Sequence, residues 1–211
     1  MTPLEQFQST HVNHLGRPLS VDNVLGPQTR WALWMDDQVR ARRLMWERAH
    51  PLIGIKESPM GSNRGPEIDM WMRRCGIYVP QDPTVVMPQN AWCAALASWV
   101  LSAGLDKPVA IARVANLIKL FPVIPLDAVL PMDLGYFLRD DDGDGEKDDS
   151  GHVWFVTGRD GERTMNLEGN TNNAVRVTMR AKAQYVRTVP LAGMPGIPTN
   201  PPIPWAGSAT R

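Results

Sequence analysis

The chain has 211 residues, 43% hydrophobic and 21% charged, enough to bury one ordinary core with something smaller beside it. Its 22 Lys and Arg balance 22 Asp and Glu, so net charge gives no support to a nucleic-acid-binding surface or a polybasic membrane anchor. Two cysteines, Cys75 and Cys93, are too few for a secreted disulfide scaffold and predict synthesis in a reducing cytosol.

The opening "MTPLEQFQSTHVNHLG" lacks a basic stretch followed by an apolar one, so no cleaved signal is expected, and no apolar run is long enough for stable membrane insertion. In "LSVDNVLGPQTRWAL", Val21, Leu25, Thr29 and Leu33 fall at core spacing and Gly26-Pro27 reads as the turn into a helix. Apolar spacing predicts one helix over 28–49, closed by His50-Pro51, with "RARRLMWER" as its solvated basic face. A second helix is expected from Pro66 to Cys75, ended by Gly76, and a third from Asn90 as N-cap to Ala103, stopped by Gly104.

Past residue 125 the texture changes. "DLGYFLRD", "GHVWFVTG", "RTMNLEG" and "AVRVTMR" are short, rich in β-branched and aromatic residues, and separated by Gly, Asp and Asn, which predicts strands. Helices first and an antiparallel sheet afterwards make the fold class α+β. The Pro-rich tail, 190–211, reads as extended chain. The expected division is a small helical segment over 1–40, a main domain over 41–189, and that tail.

Cys93 is the first residue with chemistry to offer. With Asn90 as N-cap it falls at N3, where unpaired N–H groups and the helix dipole favour a thiolate, although Cys93, Ala97, Val100 and Leu101 also form an apolar stripe. The second element is "SGHVWFVTGRDGERTMNLEGN". Alternation puts His152 and Trp154 on one strand face, and Asn166, Glu168 and Asn170 on one face of the next. A three-residue turn, Arg159-Asp160-Gly161, sets His152 opposite Glu168; a two-residue Asp160-Gly161 turn puts Gly169 there and turns Glu168 away. The first register supplies nucleophile, base and orienting group; otherwise His152 is a core histidine beside a carboxylate.

Taken together and in order, "AWCAALASWVLSAG", "PMDLGYF", "GHVWFVTG" and "NLEGNTNN" resemble the CHAP amidohydrolase/peptidase domains of bacterial and phage peptidoglycan hydrolases. "IGIKESPMGSNRGPEIDMWM" is similar to the opening of a phage-associated branch, so the likeness covers about residues 50 to 182. It implies a papain-like fold in which Cys93 is the nucleophile, His152 the base, and Glu168 and Asn170 the polar residues that orient the imidazole. Met132 stands where that family has glycine, and Asn-Ala-Trp precedes the cysteine where many members have Gln-Cys. The backbone N–H of Cys93 is the expected oxyanion donor, with Gln89 and Asn90 as seconds and Trp92 and Trp154 as groove candidates.

The likeness further implies an endolysin: a monomer made without a signal peptide in the host cytoplasm, acting on wall peptidoglycan after holin-type release or lysis. "VDNVLGPQTRWAL" resembles the core of small helical peptidoglycan-binding modules. The rivals are an interbacterial toxin of the same fold and a wall-binding or virion protein with a structural cysteine; four scattered histidines do not supply a metallo-amidase. The chemistry requires no cofactor. Asp140, Asp142 and Asp144 followed by Gly145, with Glu146 and Asp148 after them, match the opening of a calcium loop, but Gly151 stands where the bidentate Glu belongs.

Overall fold

Thr2 starts the first helix, α1 (Pro3–Thr10), with a reciprocal cap: its hydroxyl accepts from the Glu5 N–H while the Glu5 carboxylate accepts from the Thr2 N–H. The computed structural model describes residues 1–13, 17–36, 40–87, 92–105, 107–139, 151–181 and 183–188. The N-terminal segment is organised around a buried amide. Gln8, 1% exposed, donates to Asp22 Oδ1, the Val24 carbonyl and Thr29 Oγ1, and accepts from the Asp22 and Asn23 N–H groups. Because polar contacts fix this loop, Val21 and Leu25 are exposed where core positions were expected; Thr29 is buried and Leu33 half-buried.

The expected helix over 28–49 is two, α2 (Pro27–Asp36) and α3 (Arg40–Ala49), with a continuous buried stripe, Arg42, Met45, Trp46 and Ala49, in α3. The solvated basic face expected of α3 therefore needs correcting at Arg42, which is fully buried and paired with Asp133 at 2.8 Å. Next come α4 (Pro66–Arg74), followed by Gly76 at φ 75°, then α5 (Cys93–Gly104) and α6 (Val114–Ile118). Gly104 belongs to α5 and is no stop: a Cβ there would stand 2.3 Å from the Ala41 carbonyl oxygen, so its absence lets α3 and α5 touch.

The strands are β1 (Val123–Ile124), β2 (Leu134–Leu138), β3 (Gly151–Asp160), β4 (Arg163–Thr171), β5 (Ala174–Ala181) and β6 (Gln184–Val186). They form one antiparallel sheet in the order β1-β6-β2-β3-β4-β5. Together with the helices this is the expected α+β class. Val153, Phe155, Leu167 and Val175 join the main core with the residues of α5, while Trp154, Val156, Val129 and Tyr185 form a separate cluster. Each such side chain contributes about 1.5–3 kcal/mol by leaving water. Met132 adopts φ 69° at the turn before β2, keeping the left-handed conformation despite its side chain. Among the described residues no helix is long and apolar enough to cross a membrane. The tail 190–211 lies outside them.

Candidate active site

The hairpin between β3 and β4 decides what His152 can reach. Asp160 pairs with Arg163, so the loop is Gly161-Glu162, with Gly161 alone at positive φ (57°), the pattern of a type II′ turn. Neither of the two expected turns forms. Continued unbroken, this register would place Glu168 beside Phe155 and turn it away from His152. A bulge between Val156 and Gly158 shifts the ladder by one residue and pairs Trp154 with Glu168 instead. The predicted opposition of His152 and Glu168 is thus corrected by two residues, an even slip that keeps both on one face. They meet on the diagonal, with His152 Nε2 3.0 Å from Glu168 Oε2.

The helix brings the thiol. α5 begins at Cys93 with Trp92 as N-cap (φ −93°, ψ 9°), so Cys93 is at N1 and the expected N-cap at Asn90 is corrected. The indole of Trp92 donates to buried Glu57 at 2.9 Å, which pins the N-cap of α5. Gly169 lets this turn settle on β4: a Cβ there would lie 2.4 Å from Leu96 Cδ2 and 2.7 Å from the Trp92 ring. The Cys93 thiol is set against the His152 side chain and the Val153 and Ala94 N–H groups, all of which favour its charged form. With Nε2 on Glu168, Nδ1 is the ring nitrogen left to serve the thiol.

Burial opposes charge on both members of this pair, and the contacts outweigh it. Burial raises the Cys93 thiol, but hydrogen bonding to His152, its positive charge and the two N–H groups bring it below its ordinary value. Burial lowers the His152 imidazole, yet hydrogen bonds to Cys93 and Glu168 carry it up to about 9. Together these shifts favour a thiolate facing an imidazolium.

Glu168 is fully buried and holds more partners than the histidine. Thr171 Oγ1 donates to Oε2 at 2.8 Å, Thr178 Oγ1 donates to Oε1, and Arg180 donates through Nε to Oε1 and through Nη2 to Oε2, both at 2.6 Å. Burial alone would raise this carboxyl, but the bonds from His152, Arg180, Thr178 and Thr171 hold it at about 2. Arg180, Thr171 and Thr178 escaped the sequence reading. The β4–β5 register sets Arg176, not Arg180, opposite Glu168, and Arg180 reaches it by lying along the sheet face.

Three of the four expected site residues converge: Cys93, His152 and Glu168. Asn170 does not join them. At φ 60° its amide turns away and donates to Asn63 Oδ1 at 3.3 Å, while Thr171 Oγ1 stands 3.4 Å from His152 Nε2. Trp92 and Trp154 are buried at 0% and 1%, so neither offers a groove wall: Glu57 holds the first, and the second packs under Arg180. Gln89, Asn90 and the loop with Asp140, Asp142, Asp144, Glu146 and Asp148 lie outside the described residues. Among the described residues no three His, Cys, Asp or Glu side chains are grouped to hold a metal ion.

No protein-family model, curated protein or solved structure matches the chain. A thiol set against an imidazole, itself oriented by an ionised carboxylate, can attack a carbonyl carbon and deliver a proton to a leaving group.

Proposed function

We propose that this chain is a cysteine-dependent peptidoglycan hydrolase of endolysin type, with a papain-like CHAP fold, that cleaves an amide bond in the bacterial cell wall. The observation that carries the chemistry is the His152 ring set between the Cys93 thiol and Glu168, with Nε2 3.0 Å from the carboxylate. The substrate class rests on the order of motifs around Cys93, His152 and Glu168 in the sequence.

In this mechanism the Cys93 thiolate attacks the amide carbonyl, and the backbone N–H of Cys93 at the start of α5 faces the developing oxyanion. His152 gives its Nδ1 proton to the departing amine, leaving a thioester on Sγ. Water then loses a proton to Nδ1 as it attacks that thioester, and the acid is released with the pair restored. Glu168 stays ionised throughout and keeps the ring turned toward Sγ.

A second reading, a structural cysteine in a wall-binding or virion protein, draws on burial: Cys93 is 2% exposed. Cys93→Ala separates the two. A hydrolase loses at least about 10³-fold in turnover, seen by mass spectrometry of muropeptides released from purified walls, while circular dichroism keeps its native form. Unchanged release by Cys93→Ala refutes the mechanism. The same muropeptide masses identify the bond that is cut.

A further inference from the structure

Arg180 stands directly behind Glu168, on the side away from Cys93 in the chain of contacts. Its two prongs take both carboxylate oxygens at 2.6 Å, and one of those oxygens, Oε2, is the atom that His152 Nε2 reaches at 3.0 Å. Two cations therefore share one oxygen and sit within about 6 Å of each other. The same aromatic pair flanks both. Arg180 Cζ lies 4.7 Å from the Trp154 ring and 5.7 Å from Phe137, and the His152 ring lies 5.8 Å from Trp154 and 5.9 Å from Phe137.

Burying Glu168 does not by itself call for this arginine. A protonated His152 already balances the carboxylate, and Thr171 and Thr178 fill remaining lone pairs. What Arg180 adds is net positive charge. With it, and with His152 protonated, the row of Cys93 thiolate, His152, Glu168 and Arg180 alternates in sign and sums to zero. Two other cations face this region, Arg176, exposed on β5 opposite Glu168, and Arg139, with its Cζ 5.8 Å from the Phe137 ring, but the guanidinium bonded to the Glu168 carboxylate is that of Arg180.

We propose that Arg180 is a positioning residue of this site: its fork fixes the Glu168 carboxylate, and its charge limits the hold of Glu168 on the His152 proton while favouring the Cys93 thiolate. This deepens the thiol-hydrolase reading and rests on it for the consequence in turnover. An imidazolium held less tightly surrenders its proton to the leaving amine more readily, and a thiolate is the form that attacks. Arg180 touches neither thiol nor substrate in this role; it acts through Glu168.

The experiment follows the His152 titration by NMR, in a chain with four histidines, and the pH dependence of Cys93 alkylation by iodoacetamide. Both are read in the full chain and in Arg180→Gln and Arg180→Lys. Removing a positive charge raises every neighbouring pKa. In Arg180→Gln the His152 midpoint is expected to climb from about 9 by about one pH unit, a figure reduced for the partial exposure of the guanidinium, and the alkylation midpoint rises with it. Arg180→Lys keeps the charge without the fork, so its His152 midpoint stays within about 0.3 of the parent while kcat falls and KM holds.

A folded Arg180→Gln whose His152 midpoint is unmoved or lower overturns the proposal. Should that variant not fold, Arg180→Lys decides, and a displacement of about one pH unit overturns it. Neither midpoint needs a substrate. Midpoints that move as stated in a chain that cuts no peptidoglycan sink the hydrolase reading alone; unmoved midpoints in an active enzyme sink only the role of Arg180.

Discussion

Two of the buried-charge networks among the described residues, those around Asp133 and Glu168, make a useful contrast. Around Asp133, fully buried, Arg42 Nη2 approaches Oδ1 at 2.8 Å and Arg187 Nε stands 3.1 Å from Oδ2, while the Leu130 and Thr188 N–H groups donate to the remaining lone pairs. Around Glu168, equally buried, the partners are His152, Arg180 and two threonines. Both obey the rule that a charge taken out of water must be paired and hydrogen-bonded. Only the second contains side chains, an imidazole and a thiol, that change protonation near neutral pH. The first ties α3 to the turn before β2 and has nothing to transfer; the second ends on a proton that can move.

Breaking each carboxylate in turn tests that distinction. Asp133→Asn leaves two buried guanidinium groups without their counter-charge and is expected to cost about 3–5 kcal/mol of stability, read by urea denaturation. The fraction that stays folded should still alkylate at Cys93 with the parent's pH dependence. Glu168→Gln should cost less, about 2–3 kcal/mol, because Arg180 is partly exposed and the amide oxygen still accepts from the threonines. There, however, alkylation should lose its thiolate character and turnover should fall by about two orders of magnitude. Equal alkylation profiles in the two variants would erase the contrast.

Protonation sharpens it from the other side. Glu168 is held at about 2 against an ordinary 4.5, a depressed carboxyl, so its contribution to stability is complete above 4.5 and is lost as pH falls through about 2. His152 is raised from 6.5 to about 9, so its contribution is complete below 6.5 and is lost as pH rises through about 9. Turnover needs the imidazolium and should be halved near pH 9 on its basic side. Denaturation curves across this range should show both losses in the parent chain, and Glu168→Gln should flatten the acidic one. A parent whose stability is level between pH 4.5 and 2 contradicts the ionised, clamped Glu168.

How far the sequence foretold this site follows from the same geometry. The four strand segments, α4 and the α+β class were readable because they depend on local pattern, period two in the strands and a proline-to-glycine span in α4. Cys93, His152 and Glu168 were readable as residue types in order. Their pairing was not, because it depends on two features that local pattern does not encode: the turn that forms and a bulge after Val156. The turn moves the ladder three residues from the expected register and the bulge takes one back, so the net slip is even and restores the face that a simple hairpin would have lost. Arg180 was invisible because it reaches past its own cross-strand partners, and Arg42 read as solvated because nothing local announces Asp133, 91 positions on.

The smallest expected effect comes from the turn itself. Gly161 sits at φ 57°, and a Cβ added there meets nothing within 4 Å, so Gly161→Ala pays only for a left-handed backbone, about 1 kcal/mol. That is far less than either buried network is worth, and the register of β3 and β4 is held by pairs such as Trp154 with Glu168 and Phe155 with Leu167, which the substitution does not touch. Thermal unfolding should therefore fall by a few degrees at this chain length, while the His152 midpoint and Cys93 alkylation stay where they are. If they move, the turn and not the bulge sets the face on which Glu168 meets His152, and the contrast between a network that only braces and one that moves a proton would begin at Gly161.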